Sequence, residues 1–187
     1  TNADNVLTTL TYDQLDRKRT LTRGGKTWRF DYDPNGNVTK IVAPMPAGAV
    51  EADYTTTIAY DWLDRETGRT VGKRDLTPAE VNVLGTGTET RTYDQNPNGL
   101  GRLTSEVWSH GTTTYAYDAR GLVTDTAQSF SLMGGAFSDT RTEHTDYGAN
   151  GAVIGKKTGD GATPSQASVF TLAYDGRGLP SALVKQG

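Results

Sequence analysis

The residues that could do chemistry come first. Asp31-Tyr32-Asp33-Pro34-Asn35-Gly36-Asn37 puts oxygen-bearing side chains at alternate positions and Gly at the sixth, as a calcium loop does at its start. Such a loop closes on a bidentate Glu at its twelfth position, which here is Val42, and both flanks alternate like strands rather than helices. The imidazoles are His110 and His144, neither with a nucleophile arrangement nearby in sequence; His144 lies in the polar run Arg141-Thr142-Glu143-His144-Thr145-Asp146. A serine triad or a three-ligand metal site needs a constellation that no spacing here provides. With no Cys in the chain, a disulfide, a thiolate zinc site and a Cys nucleophile are excluded. The many Asp residues could supply a carboxylate pair for glycoside hydrolysis. Trp62 is the remaining candidate. It follows Tyr60-Asp61 directly, where it either fills a gap in the structure or stacks on a sugar ring or a partner chain.

Most of the Asp residues already have a place. Tyr-Asp recurs at Tyr12-Asp13, Tyr32-Asp33, Tyr60-Asp61, Tyr93-Asp94, Tyr117-Asp118 and Tyr174-Asp175, and Tyr147-Gly148 keeps the Tyr alone. The spacings are 20, 28, 33, 24, 30 and 27 residues. Seven of the nine Tyr fall on this one position. Four residues after each Tyr stands Gly or Asp: Asp16, Gly36, Asp64, Gly121, Gly151 and Gly178, with Gly101 delayed by a four-residue insertion in the fourth copy. Two residues before the Tyr stand Leu10, Phe30, Ile58, Tyr115 and Leu172, while Arg91 and Thr145 make the fourth and sixth copies weak.

These positions read as a hairpin. Trp28-Arg29-Phe30-Asp31-Tyr32 and Phe170-Thr171-Leu172-Ala173-Tyr174 alternate with period two, as half-buried strands do, so each Tyr is the last inward residue of its strand. The Asp accepts hydrogen bonds from backbone amides at the start of a turn. The residue at the fourth place suits positive φ, which Gly adopts freely and Asp tolerates. A type I turn ending in such a residue is a common hairpin connection, and Val38, Leu103, Val123 or Val153 then begins the returning strand. Single hairpins are unstable in water, so the copies must stack into a shared sheet. The Pro- and Gly-rich connections Ala43–Gly48, Gly85–Gly87, Gly134-Gly135 and Gly159–Gly161 are expected as exposed loops, and Leu76–Leu84 as either a loop or a short helix begun by Thr77 and Pro78. The expectation is an all-β solenoid over residues 1–187, a single array of about seven stacked hairpins with no domain boundary.

Composition agrees. Nineteen basic against twenty-two acidic residues leave a net charge of −3, without the basic excess of a nucleic-acid binder. No apolar run reaches the ~18 residues of a membrane helix. The chain opens Thr1-Asn2-Ala3-Asp4-Asn5 without Met or a secretion signal, which reads as a piece of something longer.

Tyr117-Asp118-Ala119-Arg120-Gly121-Leu122-Val123-Thr124 and Tyr32-Asp33-Pro34-Asn35-Gly36-Asn37-Val38-Thr39 resemble the YD repeat of the Rhs family, and Asn98–Thr104 is similar to a longer variant turn of bacterial Rhs proteins. The resemblance runs from about Leu10 to Leu183. It implies a spiralling β-sheet like the shells of Rhs effectors, of the C component of insecticidal Tc toxins and of the related teneurins. The function it implies is structural: a segment of shell wall enclosing a toxin until delivery, in a secreted or delivered bacterial protein. The partners implied are neighbouring repeats, the enclosed cargo, and secretion machinery or a cell surface. The chain lacks the family's Asp-Pro-x-Gly self-cleavage motifs and any recognisable toxin domain, so no catalytic, cofactor or metal role is assigned. The alternative is an adhesion module whose loops and Trp62 bind a cell-surface glycan or receptor.

Overall fold

A computed structural model describes residues 6–73, 87–132, 136–160 and 169–186. The segment Leu76–Leu84, expected as a loop or a short helix, lies outside them, as do Gly85, Thr86, Gly134-Gly135 and Gly161. The described residues form fourteen strands, two per Tyr-Asp copy: β1 (Thr8–Tyr12), β2 (Lys18–Arg23), β3 (Lys26–Tyr32), β4 (Val38–Val42), β5 (Thr55–Tyr60), β6 (Glu66–Val71), β7 (Thr88–Tyr93), β8 (Leu103–Trp108), β9 (Gly111–Tyr117), β10 (Val123–Leu132), β11 (Phe137–Tyr147), β12 (Val153–Asp160), β13 (Val169–Tyr174) and β14 (Pro180–Gln186). Each repeat Tyr is the last residue of its strand. The chain divides into two compact units, residues 1–90 and 91–187, and the division falls inside β7.

In the first unit each strand pairs antiparallel with the next, from β1 through to β7. The second unit repeats this from β8 through to β14. The fold is all-β and built of stacked hairpins, as expected.

Registered pairs sort the side chains into two faces. Leu10, Leu21 and Trp28 stand opposite one another, as do Phe30, Ile41 and Thr56, so the apolar residues share one face. The other face carries small polar residues: Thr11 opposite Thr20, Thr22 opposite Thr27 and Thr57 opposite Thr70. The hydroxyls of Thr11 and Thr20 are 2.6 Å apart, and those of Thr22 and Thr27 are 2.8 Å apart. A β-branched hydroxyl suits such a pleated face open to water, although Thr104, Thr113, Thr142 and Thr145 are buried.

Little is fully buried. Among the described residues the buried apolar side chains are Val42, Tyr54 and Ile58. Tyr54 ends a one-turn 3-10 helix (Glu51–Tyr54) within the loop that the Ala43–Gly48 connection begins. The sequence pattern did not foresee that turn. One further expectation needs correction. Gly159 and Asp160 belong to β12, because they pair with Thr142 and Arg141 of the long β11. The repeat Tyr residues lie on the apolar face two residues beyond Phe30 or Ile58, and they are half-buried there, except that Tyr12 in the first strand is 56% exposed.

Candidate functional site

The turns repeat one construction. In the first, the Asp13 amide donates to the Arg17 carbonyl at 2.9 Å and the Asp16 amide to the Asp13 carbonyl at 3.2 Å. The same pair of bonds closes the turns at Asp33, Asp61, Asp118, Gly148 and Asp175. The fourth-place residues have positive φ throughout: 58° and 60° at Asp16 and Asp64, and 76° to 94° at Gly36, Gly101, Gly121, Gly151 and Gly178. In the six copies other than the fourth, the turn also shifts the strand register by one residue just before the Tyr, as a bulge does. In the fourth copy Asp94, Asn96 and Asn98 adopt positive φ within the insertion, and the Asp94 carboxylate reaches the Gly101 amide at 2.6 Å.

The carboxylates are taken up by these turns. Asp13 accepts from the amides of Leu15 and Arg17 and from the Arg17 guanidinium, and Asp61 does the same with Leu63 and Arg65. Asp118 and Asp175 accept from the amides two and four residues on, and from Arg120 and Arg177. The amide hydrogen bond from Leu122, ahead of the Arg120 contacts, holds Asp118 below the usual carboxylate range. Where Gly148 replaces the Asp, Asn150 supplies an acceptor to the Ala152 amide. In the calcium-like stretch Asp33 accepts from the amide and side chain of Asn37, so its oxygens serve the turn. Asn35 and Asn37 reach across to Asp64 of the next turn at 2.9 and 2.6 Å.

The Tyr hydroxyls link one hairpin to the next. Tyr32 donates to the Lys18 carbonyl, Tyr60 to Val38, Tyr117 to Leu103, Tyr147 to Val123 and Tyr174 to Val153, at 2.5–3.1 Å. Every acceptor is the first residue of the preceding hairpin's return strand. Turns touch as well: Arg17 donates to the Asp33 carbonyl, Asn98 to Tyr117 and Arg120 to Gly148. Arg17 also stacks on the Tyr32 ring, with its guanidinium carbon 4.7 Å from the centroid. Repetition of the Tyr and Asp was visible in sequence, but the carbonyls that the Tyr hydroxyls bind were not.

Trp62 is 85% exposed at a turn tip beside the exposed Leu63, so it fills no gap in this structure. His110 stands in the tight connection between β8 and β9, and its Nε2 is buried without a hydrogen-bond partner. The polar run around His144 reads as a solvated strand, but the side chain is half-buried between two carboxylates. Its Nδ1 lies 2.6 Å from Asp125 and its Nε2 3.1 Å from Asp146, an arrangement across strands that sequence spacing did not reveal.

No family model and no curated protein matches the sequence. Among solved structures, a chain of the Photorhabdus luminescens Tc holotoxin pore, from a structure carrying a point mutation in TccC3, aligns with 98% of this chain at a TM-score of 0.65 and 14% identity. The two share a fold. This chain spans 9% of the length of that toxin chain. The likeness of fold agrees with the resemblance carried by the Tyr-Asp copies.

Proposed function

We propose that this chain is wall: a structural segment of an Rhs-type shell that encloses a toxin until delivery, and that it performs no chemistry itself. The observation that carries the reading is the Tyr hydroxyl ladder. Five hydroxyls bind the carbonyls of preceding hairpins, and the turn carboxylates are committed to backbone amides and neighbouring Arg or Asn side chains. The repeated polar groups thus hold the sheet together rather than converge on a substrate. The likeness in fold to a segment of a Tc holotoxin chain supports a place in a larger secreted toxin assembly. Sequestration is then mechanical: a hydrogen-bonded sheet separates cargo from solvent, with neighbouring repeats as its partners.

Electron microscopy of the full-length parent protein tests this. A closed hollow particle with density inside is expected, and an open filament with exposed loops would overturn the reading. The exposure of Trp62 favours one second reading, adhesion to a glycan through an aromatic platform. Glycan-array binding that is lost in Trp62→Ala would establish it, and a flat array would remove it.

A further inference from the structure

His144 on β11 has a carboxylate against each ring nitrogen. Asp125, its registered partner on β10, lies 2.6 Å from Nδ1, and Asp146, two residues further along β11 and on the same face, lies 3.1 Å from Nε2. On the other side His144 registers with Lys157 of β12, whose Nζ is 3.4 Å from the second Asp146 oxygen. Asp125, Asp146 and Lys157 are the charged groups that face the imidazole from the three strands. The other neighbours on this face, Ala127, Thr142, Gly155 and Gly159, carry no charge.

A neutral imidazole has one N–H and one lone pair, so it can donate to one of these carboxylates and must point its lone pair at the other. An imidazolium donates to both. As a cation, His144 also makes the four-residue row electrically neutral, whereas the neutral ring leaves it at −1. We propose that His144 is a proton-operated staple: protonated, it ties β10, β11 and, through Asp146 and Lys157, β12; deprotonated, it lets this three-strand section loosen.

The Asp125 hydrogen bond, opposed by partial burial and reinforced by Asp146, raises the His144 pKa above the ordinary imidazole value. A group whose folded value is raised contributes its full stabilisation below the unfolded value, about 6.5, and loses it as pH rises through the folded value. The section is therefore tightest in mild acid.

The test is NMR on the intact chain. The assigned His144 ring resonances should titrate above the ordinary range, and Asp125→Asn should move that midpoint down. Amide protection factors on β10–β12, corrected for intrinsic exchange, should fall about threefold or more from pH 5.5 to 8.5. One released proton allows at most about tenfold per pH unit. His144→Gln should remove this pH dependence and leave β13–β14 unaffected. A His144 midpoint at or below the ordinary value, a titration unmoved by Asp125→Asn, or an unchanged pH dependence in His144→Gln would each overturn the proposal. Should His144→Gln fail to fold, the wild-type and Asp125→Asn titrations decide it.

Discussion

Tyr147 donates its phenol hydrogen to the carbonyl of Val123 at 2.9 Å, from the end of one hairpin's first strand to the start of the preceding hairpin's return strand. Position and direction are the same at Tyr32, Tyr60, Tyr117 and Tyr174, so the contact belongs to the repeat. Tyr147→Phe keeps the ring and removes the bond, and should cost about 0.5–1.5 kcal/mol. Tyr12→Phe, at a ring that is 56% exposed, should cost close to nothing. Urea midpoints of the two variants measure the difference, and equal midpoints would show that the hydroxyl contributes nothing.

At Gly36 the backbone φ is +94°, and a Cβ built there meets no atom within 4 Å. Any loss in Gly36→Ala is therefore backbone strain without a clash, on the order of 1–2 kcal/mol. Asn tolerates positive φ better than Ala, so Gly36→Asn should fall between Ala and the parent. Thermal midpoints in that order are expected. An Ala variant as stable as the parent would mean that the turn relaxes to another type.

The hairpin was legible because its determinants are local: the Tyr-to-Gly spacing sets a turn, and the turn sets which residue begins the return strand. Long-range partners were not. Which carbonyl a Tyr hydroxyl meets depends on the stagger between successive hairpins. Asp125 meets His144 only because β10 and β11 pair in one register across a connection whose length the repeat does not govern. Arg91, which weakened the fourth copy on paper, makes an ion pair with Glu106 at 2.8 Å. Thr145, the weak place of the sixth, is one of the few buried polar residues. Arg91 looks like a gap in a hydrophobic pattern because its partner comes from another strand, and Thr145 because a hydroxyl is buried where an apolar residue was expected.

The turn carboxylates predict an acid limit. At Asp175, amide hydrogen bonds from Leu179 and Arg177 lower the pKa; at Asp13 the Arg17 amide leads, and at Asp118 the Leu122 amide does. A lowered folded value gives stability that is present above the unfolded value, about 3.9, and lost as pH falls through the folded one. Urea midpoints should hold steady between pH 5 and 6 and fall below about pH 4. Asp118→Asn should be less stable than the parent at pH 6 and lose less on going to pH 3. An Asn variant with the parent's full acid dependence would move the acid sensitivity to other carboxylates.

Trp62 separates stability from binding. At 85% exposure its ring shields little from water, so Trp62→Ala should shift the urea midpoint by less than about 0.5 kcal/mol, as surface substitutions do. Trp28 and Trp108 are half-buried, so an aqueous quencher should reach Trp62 first, and the variant should lose the most quenchable part of the emission. In a parent particle the same quenching reports the surroundings of this tip. A Trp62 that remains accessible there lies open to an external ligand, and one that becomes protected is covered by another part of the particle, as the proposed shell requires of a tip turned inward. Accessibility with a flat glycan array would leave the tip as an exposed corner of a structural sheet.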